Sequence, residues 1–434
     1  MTEKLDGLLD PLEPRLREYR RDFHAHAETG WNEYRTSALV ARRLDELGFR
    51  LRVGPEVVAG QARMGLPPEE VMEARYRRAL DEGAPEKYAE KFRHGFTGLT
   101  GEIGRGEGPT VGFRFDMDAL EVEEKGTEDH RPAREGFASI HREAMHACGH
   151  DGHTAIGLGL AEALARMRDH LSGRVRLIFQ PAEEGARGAR AMVEAGVVDD
   201  LDRIYGLHIG AKALTTGEFC CGTDGFLATS KFDIFFYGQA AHAGFDPQNG
   251  RNALLAAANA VVNLYAISRH GGGGTRINVG KISGGSGRNI IPEEARLQVE
   301  TRGETTQIDR YMAERAAEVA KGAAEMGGVR CEILRMGEAA AASSDADLAG
   351  RVYRLAQKRR IFPLLREREP HFGGSEDFSL MMERVRERGG KACYFLLGSE
   401  LAGSHHSPGF DFNEEILIKG VEILALVALE PAED

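Results

Sequence analysis

Two rhythms of strand and helix share this chain, and the second interrupts the first. From residue 110 short apolar runs alternate with helical stretches. "TVGFRF" (110–115) reads as a strand, "TAIGLGLAEALARMRDHL" (154–171) as a helix and "GRVRLIFQ" (173–180) as a strand. "ARAMVEAGVV" (189–198) then reads as a helix and "RIYGLHI" (203–209) as a strand. Strands that alternate with helices imply a largely parallel sheet covered by helices on both faces.

The rhythm changes in the middle. "KFDIFFYG" (231–238), "RINVGKIS" (276–283), "EARLQVETRG" (294–303) and "VRCEILRM" (329–336) read as strands. Helices are expected over 252–268 and 307–327, so the order is β-α-β-β-α-β, the split βαβ or ferredoxin-like pattern. The first style returns with a strand at 391–398 and a closing helix at 415–430. The expected architecture is α/β: a catalytic domain with a mostly parallel sheet, built from 1–228 and 338–434, and an inserted ferredoxin-like lid or dimerisation domain over 229–337. Residues 10–50 read as a helical start with a polar break near Thr29–Asn32. "LPPEEVMEARYRRALDEGAPEKYAEKFRHGF" (66–96) reads as two short charged helices, taken as a solvated surface insertion. "HGGGGT" (270–275) is a turn rather than a phosphate loop, because no Lys-Ser/Thr follows.

Composition narrows the classes. A net charge of −12 lacks the basic footprint of a nucleic-acid binder. No run approaches the ~20 apolar residues of a membrane span. The charged first residues lack the apolar core of a signal peptide. Five cysteines, at 148, 220, 221, 331 and 393, form no regular framework and read as reduced thiols in the cytoplasm.

Chemistry collects where strands end. Asp116 and Asp118 follow one strand, Glu183 and Glu184 a second, and His208 lies in a third. "MHACGHDGH" (145–153) precedes a helix and offers Cys148, His150, Asp151 and His153. Open parallel sheets bind ligands beyond the carboxyl ends of their strands. The spacing of Cys148 and His150 puts both on one side of an extended segment. A thiolate beside an imidazole suits a borderline-soft ion such as Zn²⁺. Alone, the cysteine reads better as a small buried apolar residue; three histidines around it shift the balance towards a metal. Adjacent glutamates repel unless a positive charge lies between them, although acidic residues also favour the first turn of a helix. His242 in "AHAG" and the pair in "GSHHSPGF" (403–410) are further candidates, each alone no more than a loop histidine. A cysteine nucleophile at 148 would leave the glutamate pair without a purpose.

"HACGHDGHTA", "FQPAEEG", "GLHIG", "GQAAHAG", "NIIPEEARL", "GGSEDF" and "HHSPGFDFNEE" occur in this order. Together they resemble the M20 metallopeptidases, and within them the amidohydrolase branch of N-acyl-amino-acid and auxin-conjugate hydrolases. The resemblance runs from "RDFHAHAETGWNEYRTS" (21–37) almost to the end. Against the usual "HPELG" the chain reads "HAETG", with Ala27 and Thr29, and Glu121 replaces the usual proline after "DAL".

The resemblance implies two divalent cations, Mn²⁺ or Zn²⁺, on Cys148, His150, Glu184, His208 and His406. His406 is preferred to His405 because the ligand directly precedes Ser-Pro. Glu183 takes the general-base position, and His242 is nominated as donor to the oxyanion. Asn289 and Arg302 match substrate-binding positions, while Asp116 and Asp118 stand behind the ligands. The family's counterpart of His242 commonly comes from the other protomer of a pair. A homodimer, or a heteromer with a related chain, is therefore expected. The implied reaction is amide hydrolysis of a small N-acyl amino acid, foremost p-aminobenzoyl-glutamate. N-acetyl- or indoleacetyl-amino acids are alternatives, as is a non-catalytic metal- or ligand-binding role.

Overall fold

The computed structural model describes residues 2–104, 106 and 108–430. The chain divides into two compact units. The first comprises Met1–Asp224, Ser343–Phe372 and Leu380–Asp434; the second comprises Gly225–Ala342 and Gly373–Ser379.

The first unit is built on an eight-stranded sheet. Its strands are β1 (Arg50–Val53), β2 (Leu99–Gly104), β3 (Thr110–Asp116), β4 (Arg174–Gln180), β5 (Arg203–Ile209), β6 (Glu218–Cys220), β11 (Leu364–Arg366) and β12 (Lys391–Leu397). They lie in the order β1-β2-β4-β3-β5-β12-β6-β11. Strands β4, β3, β5 and β12 run parallel, while β1 and β2 join antiparallel at one side. At the other side β6 opposes β12 and carries β11 parallel to it. Every residue of β3 is buried, as expected of a parallel strand covered on both faces. Its Arg114 is tolerated there because Asp116 (2.5 Å) and Gln180 (2.9 Å) take its N–H groups. The sequence reading did not foresee β1, β2, β6 and β11. These are short or peripheral strands, and partners distant in the chain decide them.

The helix His150–Met167 begins four residues before the expected start and buries almost its whole length. At Gly157 an added Cβ would lie 2.7 Å from Phe179 and 2.8 Å from Phe115, so the helix rests directly on β3 and β4. This contact seats its first turn at the carboxyl ends of those strands. The helix over 189–198 stops at Glu194, because Gly196 leaves the helical region at φ 73°.

The 66–96 segment corrects an expectation. Its helices, Glu69–Asp81 and Glu86–Ala89, are present, but the segment is not merely a solvated appendage. Met72, Tyr76, Ala79, Tyr88 and Phe92 join the main core, and the Tyr76 ring meets Tyr34 edge-on at 5.6 Å. The apolar residues at 72, 76 and 79 form one helical stripe that is easily lost among the charges.

The second unit has a four-stranded sheet of β7 (Ala228–Tyr237), β8 (Thr275–Gly284), β9 (Glu294–Gly303) and β10 (Arg330–Ala339). The order β10-β7-β9-β8 is antiparallel throughout. Helices Ala253–Tyr265 and Thr306–Gly327 cover one face and bury Phe232, Ile234, Phe236, Leu297 and Val299. The caps are Asn252, accepting from Leu255 N–H at 2.9 Å, and Thr305, accepting from Ile308 N–H at 3.2 Å. Gly373–Ser379 joins this unit through Leu227 N–H to Gly374 O at 2.9 Å.

Candidate metal centre

Four segments of the first unit meet at the carboxyl ends of the sheet. One leads into helix His150–Met167. Gly149 takes φ 91° and turns the chain, so His150 is the first helical residue and Cys148 stands just outside. A left-handed turn, rather than the extended segment expected, therefore puts thiol and imidazole together. His208 arrives from β5, and its Nε2 lies 3.3 Å from Cys148 Sγ. Glu183 and Glu184 follow β4, and His406 comes from the loop before the last helix.

Several groups of candidate donors result among the described residues, and two of them contain Cys148. Ligand atoms of Cys148, His150 and His208 lie within 4.8 Å of one another, as do those of Cys148, Glu184 and His406. Cys148 is common to both. His406 Nε2 is 3.5 Å from Glu184 Oε1, and His150 Nε2 is 3.9 Å from Glu183 Oε2.

The histidines are aimed. His150 Nδ1 donates to Asp118 O at 2.8 Å, and His208 Nδ1 donates to Ile209 O at 2.7 Å. Each bond fixes a tautomer whose Nε2 lone pair faces the cluster. His153 is different. Its Nδ1 meets Asp116 Oδ1 at 2.5 Å and its Nε2 accepts from Ile209 N–H at 2.9 Å, so both nitrogens are spent on the scaffold. His405 accepts from Ala211 N–H through Nε2 at 3.0 Å, with its Nδ1 buried and without a hydrogen-bond partner, while His406 is held beside Cys148 by its own N–H to Ala147 O at 2.8 Å.

The residues present fit a bound cation. His150 Nε2 and Glu184 Oε1 are buried without a hydrogen-bond partner, which is costly unless something positive takes the lone pairs. Burial, then the negative charge of Glu184, push the Cys148 thiol well above its usual range. Burial, then the neighbouring His153, His405 and His150, push His208 well below its own. A cation reverses the first effect and requires the neutral imidazole of the second. Thiolate, imidazole and carboxylate together suit a borderline divalent ion.

Asp116 and Asp118 do different work. Asp116 binds Arg114 and His153. Asp118 accepts from Glu183 N–H at 2.9 Å and Glu184 N–H at 3.0 Å. It thus holds the glutamate pair with its carboxylate and His150 with its carbonyl. Glu33 and Arg187, which the motifs do not single out, and His405, set aside in favour of His406, complete the frame. Glu33 accepts from Ala182 N–H at 2.7 Å, Arg187 donates to Glu184 O at 2.8 Å and to Gly65 O at 3.0 Å, and His405 braces Ala211. Ala182 and Ala186, at φ 51° and 60°, flank the pair in left-handed backbone, each costing roughly 1–2 kcal/mol. Only the arginine after "EEG" and the acid before helix Tyr34–Glu46 hinted at these contacts.

His242, Asn289 and Arg302 belong to the second unit. His242 and Asn289 are exposed, and Ala243 N–H bonds Asn289 O at 2.9 Å. His242 Nδ1 accepts from the Gly244 and Phe245 N–H groups, both at 3.1 Å, which leaves its proton on Nε2. Arg302 is paired with Glu300 on its own strand.

A model of peptidase family M20/M25/M40 matches residues 112–430. The chain belongs to this family. Two relatives match almost end to end, covering 98% of each chain. An indole-3-acetyl-aspartic acid hydrolase of Enterobacter agglomerans is 49% identical over 429 residues. A p-aminobenzoyl-glutamate hydrolase subunit from Escherichia coli (strain K12) is 48% identical over 428 residues. Among solved structures, an aminobenzoyl-glutamate utilization protein from Klebsiella pneumoniae superposes with a TM-score of 0.85 at 44% identity, covering 98% of each chain. A dinuclear metal binding peptidase of the M20 family from Bacillus subtilis superposes with a TM-score of 0.64 at 25% identity, covering 97% of this chain and 98% of the other. As an M20 protein the chain is a hydrolase, and the donor groups are candidate metal-binding residues. Among the described residues no helix is long and apolar enough to cross a membrane.

Proposed function

We propose that this M20 hydrolase cleaves the amide bond of an N-acyl amino acid with an aromatic acyl group and an acidic amino acid. p-Aminobenzoyl-glutamate is the foremost substrate, giving p-aminobenzoate and glutamate. The observation that carries the reading is the pair of donor triads sharing Cys148, with the carboxylate of Glu183 beside His150. The names of the near relatives support the substrate class. One of them favours a second reading, indole-3-acetyl-aspartate, which keeps the same design of aromatic acyl group and acidic amino acid.

In this reading Cys148, His150 and His208 hold one cation, and Cys148, Glu184 and His406 hold the other. Bound there, Mn²⁺ or Zn²⁺ supplies Lewis-acid polarisation of the amide carbonyl and lowers the pKa of the attacking water. Glu183 takes that water's proton on a carboxylate oxygen and returns it to the leaving amine nitrogen. His242 donates its Nε2–H to the carbonyl oxygen as negative charge builds. Arg302, released from Glu300, grips a substrate carboxylate with two N–H groups, and Asn289 lies beside the His242 loop to bind substrate. We assign the active form to a homodimer or to a heteromer with a related chain; the Escherichia coli relative, named as one subunit of its hydrolase, supports the second form. The five free cysteines agree with a cytoplasmic setting.

The test is release of amino acid by Mn²⁺- or Zn²⁺-loaded protein from p-aminobenzoyl-glutamate, indole-3-acetyl-aspartate and N-acetyl-amino acids, read by chromatography. Glu183→Gln is expected to keep both metals and lose turnover by at least about 100-fold. Unchanged turnover overturns its role as base. No release from any substrate by the metal-loaded chain alone points to an obligate partner or a binding role.

A further inference from the structure

Three consecutive backbone N–H groups, those of Ala182, Glu183 and Glu184, end on two buried carboxyl side chains. Asp118 takes the second and third at 2.9 and 3.0 Å. Glu33 takes the first at 2.7 Å, while its other oxygen accepts from Thr97 Oγ1 at 2.5 Å. Pro181 ends β4 and has no N–H to give. Ala182 N–H is therefore the first donor of the loop that carries Glu183, and a buried donor demands an acceptor.

The position of Ala182 makes this acceptor more than a core hydrogen bond. Ala182 is wholly buried and left-handed, so the chain direction into Glu183 depends on a conformation that alanine avoids. On its far side an added Cβ on Gly30 would sit 3.0 Å from the Ala182 Cβ, so the loop has no slack in that direction. Asp118 accepts from the two following amides, and Glu33 accepts from that of Ala182, which gives the turn a third point. Glu33 is a rigid one. It caps helix Tyr34–Glu46, where Ser37 N–H bonds its carbonyl at 2.9 Å, and its side chain is fully buried.

We propose that Glu33 is a positioning residue for Glu183: its carboxyl group pins Ala182 in the left-handed turn and thereby aims the Glu183 carboxylate. The proposal rests on the reading of Glu183 as general base. It asks only for an acceptor oxygen at this point. Burial, then the charge of Asp118, push the Glu33 carboxyl up to about 8; when it is protonated, its O–H turns to donate to Thr97 Oγ1 and its carbonyl oxygen still accepts from Ala182 N–H. Glutamine supplies the same acceptor, and the Thr97 hydroxyl rotates to accept from its amide.

The experiment compares metal-loaded wild type, Glu33→Ala, Glu33→Gln and Glu183→Gln by two readouts. These are kcat and KM on p-aminobenzoyl-glutamate, and amide hydrogen exchange by mass spectrometry. For Glu33→Ala, exchange is expected to rise about tenfold or more within 181–188 and to stay unchanged in the helix 150–167. Its kcat falls about 100-fold, the scale of a misplacement near 1 Å, with KM unchanged within about twofold. Glu33→Gln stays within about threefold of wild type in both readouts. Should Glu33→Ala not fold, Glu33→Asp, which keeps the carboxyl group but shortens the reach, takes its place with the same expectation. Wild-type exchange within 181–188, wild-type kcat, or a Gln variant as impaired as the Ala variant each overturns the proposal. A Glu183→Gln protein that still turns over sinks the base assignment instead, and the exchange readout alone then decides whether Glu33 holds the loop.

Discussion

At the scale of single residues, the site separates histidines by what their second nitrogen does. His150 and His208 anchor Nδ1 on carbonyl oxygens and leave Nε2 facing the cluster, whereas His153 spends both nitrogens. His150→Ala is therefore expected to lose one of two bound metals, measured by elemental analysis after dialysis. His153→Gln keeps both metals and loses stability, because Asp116 and Ile209 N–H lose a shared partner. Glu33 adds a dependence on pH. Its folded pKa, about 8, lies above the usual glutamate value of about 4.5. Between these values the folded protein holds a proton that the unfolded chain does not. Stability from this group is full below about pH 4.5 and falls as pH rises towards 8, by at most about 1.4 kcal/mol per pH unit. Urea unfolding at pH 5.5 and 8, with equal metal loading, is expected to show this slope in wild type and its loss in Glu33→Gln. The tripeptide Cys-Gly-His was legible as a metal motif. That Gly149 turns left-handed to deliver it was not, because the φ of a glycine is set by what surrounds it.

At the scale of elements, the largest strands and helices followed their apolar periods closely. β5 and β9 fall on the residues read from the sequence, since alternation or a continuous apolar run marks a buried strand by itself. The 66–96 segment differs from its sequence reading because the three buried positions of helix Glu69–Asp81, Met72, Tyr76 and Ala79, gain meaning only from what they pack against, as Tyr76 does on Tyr34. Tyr76→Ala is expected to cost about 3–5 kcal/mol in denaturant unfolding, whereas a truly solvated helix would lose under about 0.5 kcal/mol. In the second unit, Thr305→Ala removes a cap and is expected to cost about 1 kcal/mol, read as earlier exchange of the amides in helix Thr306–Gly327.

At the scale of the whole molecule, the division into two units assigns the chemistry unevenly. All five candidate ligands and Glu183 lie in the first unit, and His242, Asn289 and Arg302 lie in the second. A ligand that binds only the folded state stabilises it by about 4 kcal/mol at a thousand times its Kd. Metal removal by a chelator is therefore expected to raise exchange and lower the melting temperature of the first unit, leaving protection in β7, β9 and helix Thr306–Gly327 unchanged. Equal loss in both units would mean that the metals brace more than the sheet that holds their donors.

The amino-acid sequence by itself determined the two rhythms of the fold, the family and the residue types at the strand ends. Those follow from short-range periodicity and from motifs a few residues long. Only the tertiary structure decided which of several similar side chains face the cluster. It set the lone pairs of His150 and His208 free, tied up both nitrogens of His153, and recruited Glu33 across 149 positions of chain to Ala182. The reason is physical: a side chain's role depends on which of its atoms already have partners, and those partners come from segments far apart in the chain.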